Sequence, residues 1–323
     1  KIYQYDSLND LKSRIQYYEK NLLMAALNTM NTNFNKIKSG KVRDLYTYDK
    51  DSILISHTDR LSSFDRHICD VRGKGQILCL LSQWWFNKTQ HIIPNHIIKR
   101  INNCLVVKRC EVIPIEFVVR GYITGSTSTS LWTHYNNGER TYCGINFPDG
   151  LRKNQKLDTP VLTPTTKDEH DEPLSCQDIL DRNILTSEEL DYIKSKALEL
   201  FRFGQKVSEE RGFILVDTKY EFGKDKSGNI VLIDEIHTCD SSRFWKKSTY
   251  DVLFNARKEP EKLDKDSVRD YVKTVCDPYN TSKPIPRIPD KHLESVYSCY
   301  SQLYQELTGN TLLNRLGYHV DDL

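Results

Sequence analysis

The segment VDTKYEFGKDKSGNIVLIDE, residues 216–235, limits the possible folds more than any other stretch. Two runs rich in Val, Ile, Tyr and Phe flank a KDKSGN turn, the signature of a β-hairpin. Side chains alternate across a strand, so Asp217, Lys219 and Glu221 share one face of the first run. Asp234 and Glu235 close the second run, and Asp240 and Arg243 follow within DEIHTCDSSRFW. A hairpin with alternating charges is commonly a solvated surface. That reading explains the alternation but not a polar run that ends abruptly in Phe and Trp.

Around this hairpin the chain of 323 residues reads as α+β. Residues 1–33 have helical spacing, with Leu8, Leu11, Ile15, Tyr18 and Leu22 three and four apart. Residues 34–110 begin with antiparallel strands that turn at SGK and DKD, followed by a buried helix, GQILCLLSQWWFNKTQHII, ended by Pro94. Strands LVVKR and IEFVVRGYI flank Pro114, and a larger mixed portion is expected over 111–323. There, residues 136–175 read as surface loops and 187–211 as an amphipathic helix with Ser187 able to cap it. Two more helices are expected at 266–276 and 290–308, joined by an extended PIPRIP connector. No internal repeat is visible.

Bulk properties exclude several classes of function. Forty-six basic residues against 44 acidic leave a net charge of +2, which asks for neither nucleic acid nor an anionic membrane. No apolar run approaches the ~20 residues of a membrane span. The nine cysteines form no CxxC pair, so zinc ribbons, redox dithiols and disulfide scaffolds are unsupported and reduced thiols are expected. The sequence starts at Lys1, so a removed targeting segment stays open.

Four further motifs bear polar groups. SGKVRD puts Lys41 and Arg43 beside Gly40 in a turn whose amides and cations suit phosphates, although a Gly-Lys turn is commonly just a turn. VVRGYITGS runs Arg120 into a Gly-Ser turn, a phosphomonoester receptor or, more plainly, an arginine at a sheet edge. TPTTKDEHDEP holds Lys167, His170 and Asp171, but no other His or Cys stands at transition-metal spacing. SHTDRLSSFDRH mixes Asp59, Arg60, Ser63 and Asp65, residue types that commonly cap turns and helices. The oxygen-only carboxylates of the hairpin suit a hard cation such as Mg²⁺. Two anion sites beside a hard-metal site suit ATP-dependent chemistry on a phosphorylated or carboxylated substrate.

The ordered set GKVRDLY, TDRLSSFD, PIEFVVRGYITGS, TPTTK, VDTKYEFG and DEIHTCDSSRFW resembles the phosphoribosylaminoimidazole-succinocarboxamide synthase (SAICAR synthetase) family over roughly residues 36–308, most closely its plant-type subgroup. The resemblance implies a two-lobed α+β fold, a small antiparallel lobe and a larger lobe with an ATP cleft between them, related to ATP-grasp and kinase-like clefts. It implies a ligase that joins L-aspartate to carboxylated aminoimidazole ribotide (CAIR), through an acyl phosphate, giving SAICAR, ADP and phosphate. Carried over by motif, Lys41 and Arg43 hold the ATP phosphates, while Lys108, Arg109, Cys110, Glu111 and Val112 border adenine, largely through backbone groups. Glu221 and Asp234 are the magnesium carboxylates. Arg120, Ser126, Ser242 and Arg243 bind the ribotide phosphate, and Asp217 and Lys219 lie near the reacting carboxylate. Asp59, Lys167 and Asp171 are candidates for binding aspartate or closing the site. Cys239 stands where the family usually has Pro, and residues 1–33 exceed the family's usual start. A kinase-like phosphotransferase would need HRDxxxxN and DFG, which are absent. A non-catalytic ribonucleotide-binding protein would lack the carboxylates, which are present. The expected compartment is the cytoplasm, or a plastid if a transit peptide precedes Lys1, and homo-oligomerisation is left open.

Overall fold

A computed structural model describes residues 34–312 apart from 65, 128, 168–170, 264 and 281. The helix expected over 1–33, and His170, lie outside the described residues. The first half runs β1 (Lys36–Ser39), β2 (Arg43–Thr47), β3 (Ser52–His57), β4 (Arg60–Ser63), β5 (Arg66–Asp70), α1 (Lys74–Thr89), β6 (Ile97–Ile101), β7 (Cys104–Lys108), β8 (Glu111–Val112) and β9 (Ile115–Ile123). Next come α2 (Leu131–Asn136), β10 (Thr141–Tyr142), β11 (Ile145–Asn146), β12 (Gln155–Leu162), β13 (Thr165–Thr166), α3 (Cys176–Asp181) and α4 (Ser187–Glu210). The remainder is β14 (Phe213–Lys224), β15 (Ile230–Ile233), β16 (Ser242–Lys246), α5 (Lys247–Asn255), α6 (Asp266–Val275) and α7 (Asp290–Thr308).

Two antiparallel sheets carry the molecule. One has the order β1-β2-β3-β7-β6 and holds the SGK turn between β1 and β2. The other is built on β14, with β9 on one side and β16 and β15 on the other, β12 beyond β9, and β8 and β13 as short additions. The backbone crosses between the sheets in the four residues from Lys108 to Glu111. An isolated bridge from Asn95 to Leu232 also joins the two regions.

The expected hairpin forms as β14 and β15, with Glu221 opposite Ile233. Tyr220 and Phe222 are fully buried in the main core, whereas Val216, at the irregular register between Leu215 and Asp217, packs in a separate cluster with Tyr122 and Trp245. Helix α1 is apolar nearly all round and lies in the main core with α4 and α7. It stops at Thr89, five residues before Pro94. Helix α4 is capped by Thr186 rather than Ser187: the Thr186 hydroxyl accepts from Glu189 N, and the Glu189 side chain returns to Thr186 N. The loops expected over 136–175 contain strand β12. It escapes the sequence pattern because it contains Pro160, has an irregular register between Lys156 and Val161, and sits at an edge, where proline costs no ladder bond.

Candidate active site

Three adjacent strands align the first cluster. Asp217 of β14 is paired with Arg120 of β9 on one side and Arg243 of β16 on the other. The Asp217 carboxylate lies 3.0 Å from Arg243 Nη1 and 3.9 Å from Arg120 Nη1. Neither Asp217 Oδ2 nor Arg243 Nη1 makes an aligned hydrogen bond, so this contact is a pairing of charges that leaves donor capacity in a buried place. Arg120 is buried; its Nε donates to Thr163 Oγ1 at 2.8 Å and its Nη2 to the Thr129 carbonyl at 3.3 Å. Burial pushes the Arg120 pKa down and Asp217 opposes the shift.

The loop carrying Gly125 and Thr129 lies against this pair. Gly125 has φ +105°, and a Cβ there would sit 2.3 Å from Ser130 Oγ and 3.2 Å from Arg243 Nη1. Gly125→Ala is therefore strained in both backbone and space, and should lower the melting temperature by several degrees. Thermal denaturation checks this; an unchanged melting temperature rejects it. Ser126 is exposed on the same loop. Ser242 is buried, with its hydroxyl 2.7 Å from Thr218 Oγ1, so its side chain already serves the sheet.

Further along the same face of β14, Lys219 Nζ donates to Glu116 at 2.6 Å and Glu221 at 3.2 Å, and Lys167 Nζ pairs with Glu221. From the first sheet, Arg43 Nη2 donates to Asp234 at 2.8 Å and lies 3.3 Å from Glu235. Burial lowers the pKa of Arg43, but Asp234, Glu235 and Glu221 overcome it and raise the group far above its ordinary value. Lys219 behaves alike: burial lowers it, and Glu221, Glu116 and Asp234 raise it. Burial would raise Asp234, yet Arg43, Lys219 and Lys167 pull its carboxyl below the usual range. Glu235 is raised by burial, which Arg43 offsets only in part. The shared influences place Arg43, Lys219, Glu221 and Asp234 in one electrostatic cluster where the two sheets meet.

This cluster fits a hard cation. Its donors are carboxylate oxygens, and Mg²⁺ takes one or two of these, completing its shell with water and phosphate oxygens. Among the described residues no group of three or more His, Cys, Asp or Glu could hold a metal, so a cage made by protein alone is not what these residues build. Each carboxylate has a cationic partner in place, and the charge of a bound metal could take over that role.

The other expected residues are distributed as follows. Lys41 is exposed on the β1–β2 turn. Lys108, Arg109, Glu111 and Val112 are exposed and Cys110 half-buried along the crossing between sheets, where Lys108 N donates to His96 O and Arg109 N to Asp51 O. Asp59 Oδ1 accepts from Gly75 N at 2.9 Å, satisfying a free amide in the first turn of α1. Asp171 is exposed with φ +45°. Glu116 and Glu235 belong to the cluster but went unassigned in the sequence. The signal for Glu116 is present in PIEFVVR, since it stands four residues before Arg120 on one strand and so shares its face.

The model of the SAICAR synthetase family matches residues 36–286. The chain belongs to that family. It is 51% identical over 282 residues to the phosphoribosylaminoimidazole-succinocarboxamide synthase of Legionella pneumophila, covering 87% of this chain and 90% of that one. It is 50% identical over 275 residues to the chloroplastic enzyme of Arabidopsis thaliana, covering 84% of this chain and 66% of that one. The SAICAR synthase of Saccharomyces cerevisiae, solved with SAICAR, superposes with a TM-score of 0.75 at 29% identity, over 87% of this chain and 97% of that one. A type-2 SAICAR synthetase solved with ADP superposes at 0.65 and 25% identity, over 86% and 99%. The two-lobed α+β fold expected from the resemblance is thereby established, as is the reaction class: an ATP-dependent ligase of purine biosynthesis joining aspartate to CAIR.

Proposed function

We propose that the charged face of β14 is the ligation site, and that its two clusters hold the two phosphate-bearing substrates. The observation that carries this reading is the register itself. Asp217, Lys219 and Glu221 alternate along one strand, with an arginine pair at one end and the Arg43–Asp234 pair at the other. Arg120, Arg243 and the Gly125–Ser126 turn receive the ribotide phosphate, with Asp217 holding the two guanidiniums in place and Ser242 contributing chiefly through its backbone. Lys41 and Arg43 hold the nucleotide phosphates, and the 108–112 crossing borders adenine. Glu221 and Asp234 are the carboxylates for Mg²⁺, which when bound neutralises phosphate charge during transfer.

The chemistry then divides between positioning and charge. A carboxylate oxygen of CAIR attacks the γ-phosphorus of ATP, and the bond to ADP breaks. The aspartate amine attacks the resulting acyl carbon, phosphate leaves with the electron pair of the broken C–O bond, and the amine loses a proton to solvent. Lys219, fixed by Glu116 and Glu221, and Lys167 beside them place positive charge where the carboxylate is activated. Lys167, beside Glu221, and Asp171 receive L-aspartate, while Asp59 acts through the start of α1. We further propose a lobe boundary at 110/111, supported by the change of sheet there, with residues 1–33 as an extension. A cytoplasmic or plastid setting is in keeping with relatives that include chloroplastic enzymes, and no helix among the described residues is long and apolar enough to cross a membrane. Homo-oligomerisation is open to a direct measurement of mass in solution.

Arg243→Ala tests the assignment. KM for CAIR should rise at least tenfold while KM for ATP stays within about twofold, because a charge-assisted phosphate contact is worth about 1.5–3 kcal/mol. Equal effects on both substrates, or none on CAIR, would remove the ribotide phosphate from this end of β14.

A further inference from the structure

We propose that Lys74 is a positioning residue that ties the nucleotide-phosphate turn to the ribotide-phosphate loop; this rests on the assignment of those two sites above. Lys74 is the first residue of α1, and its side chain has no solvent exposure. Both facts disfavour a lysine: burial removes the ammonium from water, and the start of a helix is the wrong end of its dipole for a cation. Only its bonds offset that cost. Lys74 Nζ donates to Asp240 Oδ2 at 2.6 Å and to the Arg60 carbonyl at 3.0 Å.

Each of those partners leads to one substrate. The Arg60 side chain donates to the Gly40 carbonyl at 3.0 Å, the Lys41 carbonyl at 3.3 Å and Asp44 Oδ1 at 2.7 Å. It therefore grips the turn from which Lys41 and Arg43 project. Asp240 stands three residues before Arg243, and its other oxygen accepts from Tyr300 Oη of α7 at 2.8 Å. Lys265 lies 4.0 Å from that same oxygen. One buried ammonium thus joins the backbone of the TDR segment to the carboxylate of the DSSR segment, and α7 braces the second from behind. A chain of this kind sets the relative position of two anion sites whose arginines stand on different sheets.

The pattern of Michaelis constants tests the proposal in the full-length enzyme, with ATP and CAIR varied in turn. Lys74→Met should raise both KM values at least fivefold, with kcat changed less than threefold. Tyr300→Phe, which removes one bond to Asp240, should raise KM for CAIR about threefold and leave KM for ATP unchanged. Arg60→Gln should do the reverse. A purely structural lysine would lower melting temperature and active fraction with both KM values intact, and that result overturns the proposal. If Lys74→Met does not fold, the crossed pattern of the two milder variants decides, and parallel or absent shifts overturn it. Arg243→Ala serves as the control: an unchanged KM for CAIR there would locate the failure in the site assignment rather than in Lys74.

Discussion

Glu221→Gln or Asp234→Asn lowers kcat for ligation about 10²–10³-fold while the chain stays folded. The loss follows from the proposed assignment: each change removes one of the two carboxylates assigned to Mg²⁺, and a neutral amide binds that ion poorly. The fold survives because Lys219 and Arg43 keep second partners, while Lys167 is partly open to water. Lys219 retains Glu116 at 2.6 Å when Glu221 is neutralised, and Arg43 retains Glu235 at 3.3 Å when Asp234 is. Asp234 also has φ +67°, a conformation that asparagine adopts at least as readily as aspartate. SAICAR formation followed by ultraviolet absorbance across a Mg²⁺ titration, with circular dichroism as the folding control, checks both changes. Wild-type turnover in both variants would end the magnesium assignment.

The resilience of this cluster bears on how much of it the sequence could disclose. Alternation along β14 is a local property, so the shared face of Asp217, Lys219 and Glu221 was legible from residue order alone. The partners of those side chains were not. Glu116 meets Lys219 only because β9 pairs with β14, and Arg43 meets Asp234 only because the first sheet abuts the hairpin. Lys74 was hidden for the opposite reason: within GKGQILCLL it looks like a solvated residue at the edge of a buried helix, yet it is wholly enclosed. Asp59 is a further case in which the motif is local and the partner is not: its Oδ1 accepts from the amide of Gly75, sixteen residues away in the chain.

Cys239 illustrates how tertiary context replaces a local rule. Proline at this position would stiffen the turn before Arg243 by restricting φ. Here the turn is fastened by side chains instead. Thr238 Oγ1 accepts from Asp240 N at 3.3 Å and Ser241 N at 3.2 Å, and Ser242 N donates to the Thr238 carbonyl at 3.0 Å. Cys239 itself is 3% exposed and packs in the main apolar core. Cys239 thus fills part of the core beneath the turn, and the hydrogen bonds of Thr238 hold the turn that leads to Arg243 beside Asp217.

Acidification should unfold the protein well above the range in which carboxylates titrate. His57, His96 and His237 are buried at 2%, 3% and 0% exposure. Burial pushes their pKa values down to about 3, 4 and 3, with Arg43 adding to the shift at His57. In the unfolded chain a histidine titrates near about 6.5. Below that pH the unfolded state binds protons that the native state refuses, so stability falls as pH falls and is regained as it rises. Each histidine costs about 1.4 kcal/mol per pH unit in this window, so the three together remove up to about 8 kcal/mol between about pH 6.5 and 4.5. Glu116 and Glu235, raised by burial, work in the other direction and return part of that loss. Three histidines against two glutamates leave a net loss as pH falls. Urea denaturation at half-unit steps from pH 7 to 4.5 should show the midpoint falling steadily below pH 6.5, and His96→Gln should flatten the slope. A midpoint constant across that range would mean the three imidazoles reach solvent in the native state.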